Sequence, residues 1–216
     1  MTRAHKPIPE EALELHLKPQ YSGKFFDWKL VFGRSGPNAV EIGTGNGYFL
    51  EHVASRNSST NYLGIEKELK FYWKMVRRCH RAGLKNVRTT PANAFDVLES
   101  WIPDGSVDRL YCYFSDPWPK RKHAKYRILS GRLPPLLEKI MTPGGEFRVK
   151  TDVAWYFNRA ITLFRDLQCW NLLDVGVIPP PDIEKCKTLS NYERKAREAG
   201  SEVWGFRCQF YPAKSD

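Results

Sequence analysis

Between Phe114 and Arg127 the chain reads FSDPWPKRKHAKYR, one carboxylate and one indole directly ahead of a dense run of cations. Asp116 is held between Ser115 and Pro117, Trp118 is followed by Pro119, and Lys120, Arg121, Lys122, His123, Lys125 and Arg127 come after. The prolines fix their own φ and restrict the residue before each, so the turn is stiff. A plain solvated loop whose Trp118 plugs the core would suit a charge run alone. An acid, an aromatic and five Lys/Arg in 14 residues favour instead a site that holds an aromatic base beside a polyanion. A second set of residues is the glycine turn Gly43–Gly47, GTGNG, with Glu66 downstream. Its glycines admit positive φ and let backbone approach a ligand closely. An acid 19 residues after Gly47 can accept both hydroxyls of a ribose.

These residues need elements that converge on them, and the apolar pattern supplies such elements. Ala39 to Ile42 reads as a strand, the glycine turn follows, and YFLEHVASR has helical periodicity. Tyr62 to Ile65 is a second strand ending at Glu66. The next helix, Leu69 to Ala82, carries Lys70, Lys74, Arg77, Arg78 and Arg81, read as a solvated basic face with Phe71, Met75 and Val76 turned inward. Gly83 is placed to end it. Val87 to Thr90 is a third strand, and Asn93 an N-cap whose amide could also reach a purine. Val107 to Phe114 is a fourth strand, so Asp116 stands at a strand's carboxyl end, where open α/β sheets bind ligands. A helix over Leu133 to Ile140 is ended by TPGGE, Thr142 to Glu146; strand five is Phe147 to Lys150, closing at Thr151-Asp152. A helix from Val153 to about Leu167, a strand Trp170 to Val175, the stiff IPPPD connection and an edge strand Val203 to Tyr211 complete the pattern. Strands that alternate with helices five times specify a doubly wound, mostly parallel α/β sheet. The chain divides into an arm and lead-in, 1–36, packing Phe25, Trp28 and Phe32 on the body, and one domain, 37–216.

With 216 residues, 42% hydrophobic and 27% charged, the chain can bury a full core. No apolar run approaches the roughly 20 residues of a membrane helix. The start, MTRAHKPIPEEA, lacks the apolar stretch of a secretory signal. The cysteines, Cys79, Cys112, Cys169, Cys186 and Cys208, are odd in number and form no CxxC pair. That argues against a disulfide framework or a zinc site and fits the cytoplasm. The net charge of +10 points to nucleic acid or another polyanion.

EIGTGNG lacks the G-x-G-x-x-G spacing of a dinucleotide fingerprint and resembles the first motif of class I S-adenosylmethionine-dependent methyltransferases, E/D-x-G-x-G-x-G. DPWPKRKHAKYR, with Thr151-Asp152 and Ser190-Asn191-Tyr192-Glu193, resembles the bacterial tRNA (guanine-N7)-methyltransferase family, and the resemblance runs from about Phe25 to Phe210. It implies a seven-stranded Rossmann-like sheet in a single domain, S-adenosylmethionine as cofactor, no metal, and methylation of a tRNA guanine at N7, guanosine 46 of the variable loop. It implies cofactor contacts from Glu41, Gly43, Gly45, Gly47, Glu66, Asn93 and Asp116, with Asp116 also the catalytic acid. Asn93 stands where many relatives have aspartate, and Ser190 where most have threonine. Lys120, Asp152 and the run Ser190, Asn191, Tyr192 and Glu193 match substrate contacts. Arg121, Lys122, Lys125 and Arg127 would hold phosphates beside Lys120. Whether such a chain works as a monomer or a homodimer stays open. Two other readings stand beside this one. D-P-W-P is similar to the (N/D)-P-P-(Y/F) turn of enzymes that methylate the exocyclic amine of adenine. A basic RNA-binding module without catalysis is the other, set against by the presence of both GTGNG and Glu66.

Overall fold

Short runs of apolar, aromatic and β-branched residues each find a partner strand, giving one seven-stranded sheet in the order β3-β2-β1-β4-β5-β7-β6. The computed structural model describes residues 8–18, 27–180 and 190–212, so Phe25 and Cys186 lie outside the described residues. The strands are β1 (Asn38–Ile42), β2 (Asn61–Ile65), β3 (Val87–Thr90), β4 (Val107–Tyr113), β5 (Met141–Thr151), β6 (Trp170–Val177) and β7 (Trp204–Phe210). β1 to β5 pair in parallel; β7 runs antiparallel between β5 and β6. The helices are α1 (Trp28–Phe32), α2 (Tyr48–Arg56), α3 (Leu69–Arg81), α4 (Ala94–Ser100), α5 (Leu133–Ile140), α6 (Ala154–Thr162) and α7 (Asn191–Glu198). Among the described residues no helix is long and apolar enough to cross a membrane.

Alternation along the strands divides the interior into two layers. Val40, Ile42, Leu63, Ile65, Leu110 and Cys112 face α4, α5 and α6, where Leu98, Leu137 and Phe157 complete the larger core. Ala39, Tyr62, Val87 and Tyr111 face the other way, toward Leu50 of α2 and Tyr72, Met75, Val76 and Cys79 of α3. The buried positions of α3 recur three and four apart, as one helix face requires. Trp28 and Phe32 stack within the larger core, their ring centroids 5.9 Å apart. A 3-10 helix, Glu10–Leu15, packs on the far end of the sheet, where the Leu17 amide donates to the Thr89 carbonyl at 2.7 Å.

Two elements depart from their sequence pattern. TPGGE does not stand outside the sheet as a helix-ending turn. β5 starts at Met141, opposite Val107, and the register then shifts so that Glu146 faces Arg109. Residues 142–145 form the irregularity, with Gly144 at φ 80. The helix expected to reach Leu167 stops as α6 at Thr162. β6 is longer than the Trp170–Val175 run, because its register shifts between Leu173 and Gly176 and continues to Val177.

Candidate active site

The sheet order reverses at β1 and β4. β2 and β3 extend one way from β1, while β4 and the later strands extend the other. Loops leaving the carboxyl ends of strands at such a point diverge and leave a crevice. Here the crevice is a hollow of about 220 Å³, lined from four loops by Gly43 and Gly45, Glu66 and Phe71, Asn93, and Asp116 with Trp118 and Tyr126; Tyr192 of α7 closes it.

The glycine turn is stitched to β2 rather than merely beside it. The amides of Gly43 and Thr44 donate to the Ile65 carbonyl at 2.9 and 3.2 Å. The Gly45 amide donates to Glu66 Oε2 at 2.8 Å, and the Glu68 amide to Oε1 at 2.9 Å. Glu66 therefore sets the loop's shape while lining the hollow. Burial pushes its carboxyl up, and the Glu68 and Gly45 amides oppose that shift. Glu41, one strand over, is buried, and its Oε2 has no partner among the described residues. Burial, with Glu66 nearby, raises its carboxyl to about 8.

The three glycines do different work, although φ is positive at all of them. Gly43 and Gly45 line the hollow. Gly47 does not; a Cβ there would stand 2.8 Å from Met75 Cγ. At Gly47, where a ligand contact was expected, the structure shows a packing role, the close approach of α3 to the turn. Asn93 caps α4, its Oδ1 accepting from the Phe95 amide at 2.9 Å, and also lines the hollow.

After β4 the backbone is wound tightly. Phe114 and Trp118, neither a glycine, take φ 54 and 45 on either side of Asp116. Strain of this kind persists only where the surroundings hold it. The brace is Arg127, whose guanidinium donates to the carbonyls of Pro117 at 2.9 Å and Trp118 at 2.7 Å. It also lies 5.2 Å from the Trp155 ring centre. Arg127 is buried, with Nε and Nη2 donating to the turn's own carbonyls, so where a phosphate contact was expected the structure shows a bracing role. Asp116 is exposed, and its carboxylate takes no partner among the described residues. Trp118, His123 and Tyr126 cluster with ring centroids 5.4 to 6.1 Å apart, and Lys67 Nζ lies 5.8 Å from the Trp118 ring. Lys120, Arg121, Lys122 and Lys125 are exposed, the last three on a 3-10 helix spanning Arg121–Tyr126.

α7 arrives from far along the chain. The Ser190 hydroxyl caps it, accepting from the Glu193 amide at 3.0 Å. Glu193 is buried and bridges Lys150 of β5 and Arg197, both at 2.9 Å. The structure thus gives Glu193 a fixing role where a substrate contact was expected, and the helix it fixes carries Tyr192. A Cβ built on Gly45 would lie 3.4 Å from the Tyr192 ring. Burial, then Glu66, then Asp116, push the Tyr192 phenol up. Asn191 accepts from Arg194 at 3.0 Å, and Asp152 is exposed at the end of β5. Sequence reasoning missed Phe71 and Tyr126 as lining residues. Phe71 follows the inward stripe of α3, and only the loop geometry turns it to the hollow; Tyr126 had its place next to the cations as a signal.

The sheet order with a hollow at its switch point is that of the Rossmann-like class I methyltransferases. Residues 35–206 match the family model described as "Putative methyltransferase", and the chain belongs to that family. Among curated relatives, the tRNA (guanine-N(7)-)-methyltransferase of Staphylococcus aureus strain JH9 is 28% identical over 215 residues, covering 97% of this chain and 98% of that protein. The fold is shared with the 16S rRNA methyltransferase KamB, with a TM-score of 0.63 and 17% identity over 88% of this chain and 95% of that one. It is shared also with a 30S ribosomal A1408 methyltransferase from an uncultured bacterium, with a TM-score of 0.59 and 16% identity over 87% and 95% of the two chains.

Proposed function

We propose that this protein transfers a methyl group from S-adenosylmethionine to N7 of a guanine in tRNA, guanosine 46 of the variable loop, in the cytoplasm. The observation that carries the reading is Asp116, an exposed carboxylate without a partner among the described residues, beside the Trp118 ring and a solvent-facing run of cations. The extent of the similarity to a tRNA (guanine-N(7)-)-methyltransferase supports the choice of substrate. In this reading residues 37–216 form the catalytic domain and 1–36 the arm and lead-in.

The residues at the hollow suit a cationic, ribose-bearing cofactor. Each Glu66 oxygen has accepted one backbone amide and keeps a lone pair for a ribose hydroxyl. The unpartnered Glu41 oxygen behind it is a buried polar atom in need of a hydrogen-bond partner. Asn93 has its oxygen engaged on the Phe95 amide and its NH₂ available for an adenine nitrogen. When bound, S-adenosylmethionine supplies an electrophilic methyl group on a positively charged sulfur.

The protein's part is placement and electrostatics. N7 of guanine carries a free lone pair, so no residue has to remove a proton before it reacts. As the purine becomes cationic, the Asp116 charge stabilises it; the same carboxylate can accept from the guanine N1–H and N2–H₂ edge. Asp152 offers a second acceptor, and Trp118 and Tyr126 a stacking wall that excludes water. Lys120, Arg121, Lys122 and Lys125 hold phosphates. Incubation with bulk tRNA and labelled S-adenosylmethionine, followed by nucleoside analysis, tests the proposal. The expected product is 7-methylguanosine; N6-methyladenosine, or no labelled nucleoside, would overturn it.

A further inference from the structure

Away from the hollow, α3 ends beside a second and larger groove of about 500 Å³, lined by Asn46, Tyr48, Lys74, Arg77, Arg78 and Arg81 among others. The glycine turn contributes to both cavities: Gly45 lines the hollow, and Asn46 lines the groove. The helix LKFYWKMVRRCHR contains no aspartate or glutamate. Lys70 and Lys74, Lys74 and Arg78, and Arg77 and Arg81 are each four apart, a spacing at which like charges repel along a helix. A polyanion laid along this face would relieve that repulsion.

One cation is built in. Arg78 donates to the Asn46 carbonyl at 3.0 Å and to Glu51 at 2.8 Å, with its guanidinium 3.5 Å from the centre of the Tyr48 ring. This gives the groove a rigid floor, on which Lys74 and Arg81 are exposed. We infer that the groove and the exposed face of α3 form a second track for the sugar–phosphate backbone of the RNA substrate, separate from the Lys120–Lys125 run. The inference rests on the proposed tRNA substrate and extends it. α3 starts at the hollow, with Phe71 in its lining, and Lys70 to Arg81 spans about 16 Å at 1.5 Å per residue. The track therefore meets the RNA to one side of the reacting guanine, and does so by charge rather than by base identity.

The test is the Lys74→Gln, Arg81→Gln double variant of the full chain, with bulk tRNA and a short RNA hairpin carrying the target guanine as probes. Affinity for tRNA should fall about tenfold near 0.1 M salt, and the slope of log affinity against log salt should drop by about two units, one per lost phosphate contact. Binding of S-adenosylmethionine, whose hollow neither residue lines, should stay at the wild-type level, and methylation of the short hairpin should fall less than that of tRNA. Wild-type tRNA affinity and slope in the variant overturn the track and leave the proposed activity standing. A wild-type chain that shows no tRNA binding removes both.

Discussion

Asp116 and Arg127 belong to one turn and face opposite ways, and that difference sorts their roles. The carboxylate is free and exposed; the guanidinium is buried on the turn's own carbonyls. Asp116→Asn keeps the shape and removes the charge, so kcat should fall about 10²–10³-fold while tRNA affinity barely moves. Steady-state kinetics beside a binding isotherm separate the two, and full activity in the variant would take Asp116 out of the chemistry. Glu41 makes a different prediction. Its carboxyl, raised to about 8, holds its proton in the folded protein at pH values where the unfolded chain has lost it. Between about pH 4.5 and 8 the folded state binds more protons, so stability falls as pH rises through that window. Glu41→Gln should flatten the decline of the thermal midpoint between pH 5 and 8. A slope unchanged from wild type would show that Glu41 ionises normally.

Among the elements, α3 and the glycine turn depend on each other most closely. A Cβ at Gly43 meets nothing within 4 Å, whereas one at Gly47 meets Met75 at 2.8 Å. Both positions have positive φ, which costs a non-glycine residue roughly 1–2 kcal/mol. Gly47→Ala adds overpacking, typically about 1–3 kcal/mol, and should lower the thermal midpoint clearly more than Gly43→Ala. Equal midpoints would mean that α3 gives way at no cost. The pair shows why motif glycines are not interchangeable: the same dihedral lies beside the hollow at one position and against a helix at another.

For the molecule as a whole, charge is separated from structure by direction. Lys122 and Lys125 face solvent beside the hollow, while Arg127, in the same run, points inward. Neutralising Lys122 and Lys125 together should reduce the salt slope of tRNA binding by about two units. Arg127→Met should leave that slope as it is and lower kcat, because the turn that carries Asp116 loses its brace. Binding across a salt series reads both; a slope lowered as much by Arg127→Met would return Arg127 to the phosphate-binding set.

Much of this was legible because local patterns carry it. Alternation and helical spacing marked the strands and helices of the parallel half, and the residue types at GTGNG, Glu66 and DPWPKRKHAKYR announced a cofactor turn and a polyanion beside it. Those signals are properties of neighbouring residues, and neighbours are what a sequence orders. The bulged start of β5 depended instead on pairing with Val107 and Arg109 across the sheet. Likewise the inward turn of Arg127, the Lys150–Glu193–Arg197 bridge and the seating of Tyr192 against Gly45 join residues far apart in the chain. The basic face of α3 looked the same in sequence whether solvated or lining a groove, since the rest of the lining comes from Pro9, Asn46 and Tyr48, far off in the chain. Residue type fixed which chemistry was on offer; which side chains were spent on the fold and which were left for a ligand was decided by long-range packing and hydrogen bonding, where each buried polar group must find its partner.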